Sequence, residues 1–588
     1  MTRIQIGLLI LLFLAAFFIR IYRIDRVPAG FYIDEADYGL QARSLIQTFK
    51  DYRGELSPFW VHSFNDVRTP IPAYFTAVTT LIFDKEELQV RGASAILGTL
   101  VVLMVFLLVR LWTENFTAAF LTSAVFAFSP WQIQFSRFSH EGMSMMFIFL
   151  TSIYFFYKSL ATKSYKFLLL STVFLSFSVY AYRTMGLFVP LIFLIIFVLY
   201  RRELFEFGFK KLIFLPVLAV LIVLPFLYAT TIGAPDQPRI AQLSISSDPE
   251  TSIWVNINRA VDSGVYTNPK LGTKAESSSF FFHSKPLSWL DSFANNYFQT
   301  FSTDFLFIKG DRNFRHSVGQ MGHLYFVDIL AIIFGFIYLV KNFSKKKELQ
   351  LICLLLLISP IPTSLTLDGA QHAARLFIFS GPLLLVAGFG WWNLFETVKK
   401  IKYSKLVLLS IAFLWILFFI FYLHRYFVHF PVESARYFGY GFREAMLKIS
   451  ELESNYKRIA MVSTKDPPEI YYLFWSKTDP RLIQEYGVSF SQSIQKNQPL
   501  DKYRIVNWPA GVGSDQEVAR YLRSDTLYLV TPHEFRHELR NEAKPPEGLK
   551  VIDVILYPDR EPAFYLISRD PDYKDPKTPP RFRDIRYL

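Results

Sequence analysis

The chain has 588 residues, is 52% apolar and 18% aromatic, contains 61 Phe and carries a net charge of +13. That bias belongs to a bilayer protein and excludes an ordinary soluble globular chain. Most of the positive excess lies in short Lys/Arg clusters between apolar runs, so no nucleic-acid partner is called for, and a single cysteine, Cys353, excludes disulfide frameworks and Cys-based metal sites.

Arg3 opens an apolar run, Ile4 to Ile19, that closes on Arg20 and Arg23 instead of a small-residue cleavage site, which predicts an uncleaved first span. The stretch Gly30-Phe-Tyr-Ile-Asp-Glu-Ala-Asp-Tyr38 follows at once and sets three carboxylates, Asp34, Glu35 and Asp37, beside a membrane face. Ala42, Leu45, Ile46 and Phe49 repeat at helical spacing, which predicts a helix capped by Asp34 with Glu35 and Asp37 in the first turn, where the helix dipole favours acids. A capping carboxylate can still face a cavity, so capping and catalysis both stay open for these acids.

Apolar runs of the roughly 20 residues needed to cross a bilayer fall near 4–22, 93–111, 116–131, 142–160, 166–182, 186–200, 211–230, 324–341, 349–367, 374–396 and 405–424. These make about 11 transmembrane helices. Residues 71–83 would reach only about 20 Å as a helix and are expected to lie on or dip into one face. Alternate connections then hold Arg110; Lys158, Lys163, Lys166; Arg201, Arg202, Lys210, Lys211; Lys341, Lys345, Lys346, Lys347; and Lys399, Lys400, Lys402, Lys405, against Arg137, Arg183 and Arg375 in the short connections of the other set. The Lys/Arg bias makes the first set cytoplasmic. The N-terminus is thereby expected inside, and loops 23–92 and 231–323 and the tail 431–588 outside. The fold class is a polytopic α-helical membrane protein, 1–430, with a C-terminal extracytoplasmic α/β domain, 431–588. In the tail, strand-like runs at 458–463, 525–531, 551–557 and 563–568 alternate with helical ones at 468–475 and 516–522, and the Pro-rich, charged close, 569–588, is expected to be loosely ordered.

The outer connections carry a consistent polar set: Arg137, His140 and Glu141 in one, Tyr182 and Arg183 in the next, and Asp368, His372 and Arg375 in the third. Loop 231–323 adds Lys309-Gly-Asp-Arg-Asn-Phe-Arg-His316, with Asp311, Arg312 and His316. Ionisable groups at membrane depth are costly and tend to line a cavity or pair with one another. Arginines at that depth suit a phosphate, because the guanidinium is always charged and binds bidentately. A single interfacial arginine is more simply a headgroup anchor and a lone histidine a packing residue; three arginines on one face weaken that simpler reading. No His/Cys cluster at zinc spacing, Gly-rich phosphate loop or Gly-x-Ser-x-Gly elbow is present, and no metal ligands are expected.

The order of these motifs carries a resemblance. Pro28, Gly30, Tyr32, Asp34 and Glu35 form "P-x-G-x-Y-x-DE"; Pro70, Pro72 and Tyr74 a "P-x-P" helix; Ser129, Pro130, Ser136, Arg137 and Glu141 "SP…SR…E"; Leu306, Phe307, Gly310, Asp311, Arg315 and His316 "LF-x-x-GD-x-x-x-RH"; and Asp368, Gly369, His372 and Arg375 "DG-x-x-H-x-x-R". Over about residues 1–430 the chain resembles the GT-C membrane glycosyltransferases, more narrowly the bacterial dolichyl-phosphate-mannose protein mannosyltransferase-like members and the aminoarabinose-transferase relatives.

The resemblance implies inverting transfer of a monosaccharide from a polyprenyl-phosphate donor to a hydroxyl or amine of a protein, lipid or cell-envelope glycan at the outer face of the cytoplasmic membrane. It makes Asp34 the base, with Glu35 beside it in the catalytic pair. Arg375 and Arg183, with Arg137 and Arg312 in reserve, fit the donor phosphate, and Asp37, His140, Glu141, Tyr182, Asp311, His316 and His372 the rest of the cavity. No cofactor is required, although a divalent cation is compatible with the acids. The chain departs from oligosaccharyltransferases, whose Trp-Trp-Asp-Tyr-Gly motif is absent; its Trp-Trp is followed by Asn393. The competing reading from another class, a transporter or flippase of a lipid-linked sugar, calls for charges at mid-span and inverted repeats, whereas the charges here lie at outer span ends.

Overall fold

The computed structural model describes residues 1–56, 59–63, 67–231, 243–262, 277–464, 466–487, 500–508, 512, 517–534 and 545–577. The chain divides into two compact units: Met1–Arg20, Ile96–Ser136 and Glu141–Leu423 in the first, and Ile21–Ala95, Arg137–His140 and His424–Leu588 in the second.

The first unit is helical. Among the described residues of the chain, eight helices are long and apolar enough to cross a bilayer, and nine if the bent pair Phe116–Phe128 and Pro130–Ser136 counts as one span. Two further runs expected to span are helical but short. Tyr165–Phe177 has 13 residues before a one-turn extension, and Asp328–Asn342 has 15, or roughly 20 and 23 Å at 1.5 Å per residue. Ile71–Thr80, in the second unit, is a helix of 10 residues, far below spanning length.

The expected span 116–131 breaks at Ser129-Pro130, where the two helices meet at 58°. Proline has no N–H for the carbonyl four residues back, so Phe126 O loses its helical partner. Arg20, fully buried, replaces it: its Nη2 donates to Phe126 O at 3.2 Å, its Nη1 to Ala127 O at 2.9 Å, and its Nε to Ser136 Oγ at 3.1 Å. The arginine that closes the first apolar run is thus a clamp on a proline bend.

Helix Phe377–Val398 forms the buried centre of this unit. A Cβ on Gly388 would collide with Thr122, and one on Gly390 with Ala331 O. Small residues here let helix backbones approach closely, the usual device for packing inside a bilayer.

The second unit holds a two-stranded hairpin of β1 (Val61–His62) and β2 (Val67–Arg68) and a five-stranded sheet of β3 (Arg458–Val462), β4 (Tyr503–Val506), β5 (Thr526–Val530), β6 (Leu549–Leu556) and β7 (Pro562–Arg569), in the order β4-β3-β5-β7-β6. β4, β3 and β5 are parallel, and β7 runs antiparallel to both β5 and β6. β5 is buried at every position, as a central strand covered on both faces must be. Of the expected helix over 516–522, residue 516 lies outside the described residues and the rest holds one tight turn, Val518–Tyr521. Of the closing stretch 569–588, residues 578–588 lie outside the described residues.

One face of the sheet packs on helices Phe442–Leu452 and Pro468–Trp475 and on helix Ile33–Thr48, whose Ala36 and Leu40 join that core together with Phe31. The contact is close: a Cβ on Gly39 would collide with the Phe474 ring, Arg43 donates to Phe474 O at 2.6 Å, and Gln484 Nε2 donates to Ser44, Thr48 and Asp51. The helix that carries the three acids is therefore held rigidly by the tail's core.

Candidate active site

In the second unit, helix Ile33–Thr48 begins with Tyr32 as its N-cap, not Asp34 as expected. The capping role passes to Glu35, whose Oε2 accepts from Tyr32 N at 3.3 Å. Asp34, one position earlier, is released to the surface. This divides the three acids sharply: the Asp34 side chain is 30% exposed, whereas Glu35 and Asp37 are both at 0%.

Glu35 is committed internally. Arg91 Nε and Nη2 reach its two oxygens at 2.7 and 2.8 Å, and Ser139 N donates to Oε1 at 3.1 Å. Arg91 also donates to Ile24 O, Pro28 O and Gly30 O, so the pair knots the entry of the helix to the turn before it.

Asp37 Oδ1 accepts from the Tyr52 hydroxyl at 2.7 Å and from Ser63 Oγ at 3.1 Å. Burial pushes its carboxyl above the ordinary range, against the pull of Arg68 and the Tyr52 hydrogen bond. Arg68, from the small hairpin of β1 (Val61–His62) and β2 (Val67–Arg68), ties the acids together. Its Nη2 donates to Asp34 Oδ1 at 2.6 Å and its Nε lies 3.5 Å from Asp37 Oδ2.

Arg137, expected among the phosphate-binding cations, is fully buried, donates through Nη2 to Tyr22 O at 2.8 Å and Val27 O at 2.9 Å, and lies over the rings of Tyr426 and Phe427. That geometry makes it an anchor for the 22–27 turn. His140 is half-buried beside the Phe138 ring.

In the first unit, two loops carry most of the remaining candidates. Arg375 donates through Nη1 to Thr366 Oγ1 at 2.8 Å and forms an ion pair with Asp368, whose own side chain is 59% exposed. Arg312 is exposed, and Arg183 is half-buried next to Tyr182, whose hydroxyl donates to Ala374 O at 3.4 Å. Glu141, half-buried, opens helix Glu141–Thr162.

Asp311 joins the two loops: its Oδ2 accepts from Ala373 N at 2.8 Å and meets His316 Nδ1 at 2.9 Å, while its Oδ1 accepts from Asn313 N at 2.8 Å. Burial alone would raise its carboxyl, but the His316 hydrogen bond and the nearby imidazoles outweigh it and hold it at about 2. The His316 and His372 rings lie 4.9 Å apart, and burial followed by the charges of His316 and Arg375 pushes His372 down to about 3. Asp311, His316 and His372 each offer a ligating atom within 4.8 Å of the others. No metal-ligating set was expected from the sequence, where zinc-type spacing is sought between neighbours; here the third donor comes from a loop far along the chain.

Two side chains central to this geometry escape the sequence reading. Arg91 sits just before an apolar run, so it could have been suspected as another arginine at a span end. Arg68 lies directly ahead of the "P-x-P" helix but has no pattern of its own.

A family model described as Dolichyl-phosphate-mannose-protein mannosyltransferase matches residues 67–228. No curated protein sequence matches the chain. Among solved structures, the chain is similar to ArnT from Cupriavidus metallidurans bound to undecaprenyl phosphate, with a TM-score of 0.50 and 12% identity over 95% of this chain and 98% of that one. The oligosaccharyltransferase AglB from Archaeoglobus fulgidus, in complex with an inhibitory peptide and a dolichol-phosphate, gives a TM-score of 0.46 and 13% identity over 81% of this chain. This chain spans 64% of the AglB chain. The S. cerevisiae Pmt1-Pmt2 complex bound to the sugar donor gives 0.31 and 20% identity over 42% of this chain and 36% of that one. The ArnT likeness carries the fold, and the architecture expected from the motifs is the one observed.

Proposed function

Since the chain has the fold of the GT-C membrane glycosyltransferases and its residues 67–228 match the protein mannosyltransferase family model, we propose that it is an inverting glycosyltransferase that uses a polyprenyl-phosphate-linked monosaccharide. The acceptor is a hydroxyl or amine of a protein, lipid or envelope glycan at the outer face of the membrane.

The observation that carries the reading is the division of labour among the acids: Asp34 alone is part-exposed, while Glu35 and Asp37 are buried behind it. Asp34 is the carboxylate an acceptor can reach. Arg68 Nη2 holds it at 2.6 Å, and a carboxylate in that position can take the acceptor's proton. In the reaction proposed, Asp34 removes the acceptor proton as the acceptor oxygen or nitrogen bonds to the anomeric carbon. The bond from that carbon to the lipid phosphate breaks, and the phosphate leaves with the electron pair. Stabilising that charge takes cations, the part that the resemblance to the family gives to Arg375, Arg183 and Arg312. Arg375 is the best prepared, because Thr366 and Asp368 already orient its guanidinium.

The experiment is reconstitution. Purified protein in proteoliposomes is offered a panel of polyprenyl-phosphate sugars together with a cell-envelope extract as the source of acceptor, and free polyprenyl phosphate is measured. Release with one sugar, matched by a glycan that mass spectrometry finds missing from the envelope of a deletion strain, supports the reading. A lipid-linked sugar that crosses the bilayer intact, with no release, supports a flippase instead.

A further inference from the structure

Asp311, His316 and His372 lie in two loops of the first unit, 310–316 and 368–375, at 9%, 12% and 21% side-chain exposure. Both loops have a backbone that only glycine permits at one point. Gly310 has φ +71°, and a Cβ there would meet Ser317 Oγ at 2.6 Å and Met321 O at 2.9 Å; a Cβ on Gly369 would collide with Thr363 O. The frame is fixed further by Asp311, which accepts from a backbone N–H of each loop. Two imidazoles then stand 4.9 Å apart, tilted by 34°, with the carboxylate against one of them.

We propose that these three side chains form a binding site for a divalent transition-metal ion of the Zn2+ class, which fastens the 310–316 loop to the 368–375 loop. Two imidazole nitrogens and one carboxylate oxygen make a borderline donor set, one that selects Zn2+ and its neighbours over Mg2+ or Ca2+. Metal–ligand bonds of about 2.0–2.2 Å put adjacent donors of a tetrahedral ion roughly 3.3 Å apart. The Asp311 Oδ2 to His316 Nδ1 gap is 2.9 Å, so an ion can take the place of the proton shared there with a movement of a few tenths of an ångström. His372 brings the third donor within 4.8 Å. Its Nδ1 carries the lone pair, accepting only weakly from Arg375 N at 3.4 Å, and its Nε2 lies 4.0 Å from Asp368 Oδ2, the side on which a metal-binding imidazole keeps its proton. The ion would thereby hold in place the backbone segment that bears Arg375. The inference concerns metal binding and stands apart from the proposed sugar transfer.

The test uses the full chain in detergent, stripped with chelator and desalted. Zn2+ alone is titrated in and bound metal is counted by mass spectrometry; Co2+ provides a second, visible-absorption readout. One high-affinity ion per chain is expected. The variants His372→Gln and Asp311→Asn should each weaken it at least tenfold and should lose the rise in thermal midpoint that Zn2+ gives the parent protein. His283→Gln, which removes a histidine paired with Asp262 elsewhere in the unit, should bind as the parent does. Absence of stoichiometric Zn2+ in the parent overturns the proposal, as does equal binding in monodisperse His372→Gln. If Asp311→Asn aggregates, the His372→Gln comparison decides alone. None of these readouts depends on transferase activity.

Discussion

Glu35 and Arg91 are both fully buried and joined by two hydrogen bonds, Nε to Oε1 at 2.7 Å and Nη2 to Oε2 at 2.8 Å. A bidentate guanidinium–carboxylate pair out of water is expensive to break from one side, because the partner is left as an uncompensated buried charge. Arg91→Ala and Glu35→Ala are therefore expected to lower stability by about 3–5 kcal/mol, read as a large drop of the thermal midpoint in detergent. An unchanged midpoint would contradict the structural part given to Glu35.

The helix contacts of the first unit can be probed with single methyl groups. Gly390→Ala places a Cβ against Ala331 O and should reduce thermal stability and yield of folded protein. Gly7→Ala, with nothing within 4 Å of the new Cβ, should be neutral or slightly stabilising. Equal behaviour of the two variants would show that the close approach at Gly390 is not real.

Asp51 supplies a pH signature. Burial works to raise its carboxyl, but hydrogen bonds from the His62 ring and from the backbone N–H groups of His62 and Glu55 prevail, and the net effect lies below the ordinary carboxylate value. A depressed folded value means stability that is present above the unfolded value of about 3.9 and is lost as pH falls below it towards the folded one. The thermal midpoint of the parent should fall through that acid window, and that of Asp51→Asn should fall less. Parallel curves would remove Asp51 from the acid response.

The sidedness expected from the Lys/Arg bias can be checked with cysteines in a Cys353→Ser background. Ser454→Cys, exposed in the tail, should react with an impermeant maleimide in intact cells, and Ser344→Cys, in a basic connection, only after permeabilisation. The reverse pattern would invert the proposed topology.

Much of this was legible because it is local. Apolar runs, the helix after Asp34 and four of the five tail strands each follow from residue periodicity. Strand Tyr503–Val506 escaped because four residues carry little pattern. The bend at Pro130 was hidden inside a run that is apolar throughout, and composition cannot tell a straight helix from a kinked one. Asp34 was expected as the cap, and the Tyr32–Glu35 pairing that displaced it depends on Arg91, which arrives from another element. Arg68 escaped for the same reason, since it acquires its partners through the fold; His372 was read as a cavity residue but not as a neighbour of His316, and Arg137, which looked like a ligand-binding cation, turned inward to backbone carbonyls.

The most direct measurement is sugar transfer by purified Asp34→Asn from the polyprenyl-phosphate sugar that the parent protein accepts. Asn keeps the size of the side chain and an oxygen for Arg68 but cannot take the acceptor proton. Loss of transfer by at least about a hundredfold, with the thermal midpoint and donor binding retained, is the expected result. Turnover near that of the parent would contradict Asp34 as the base.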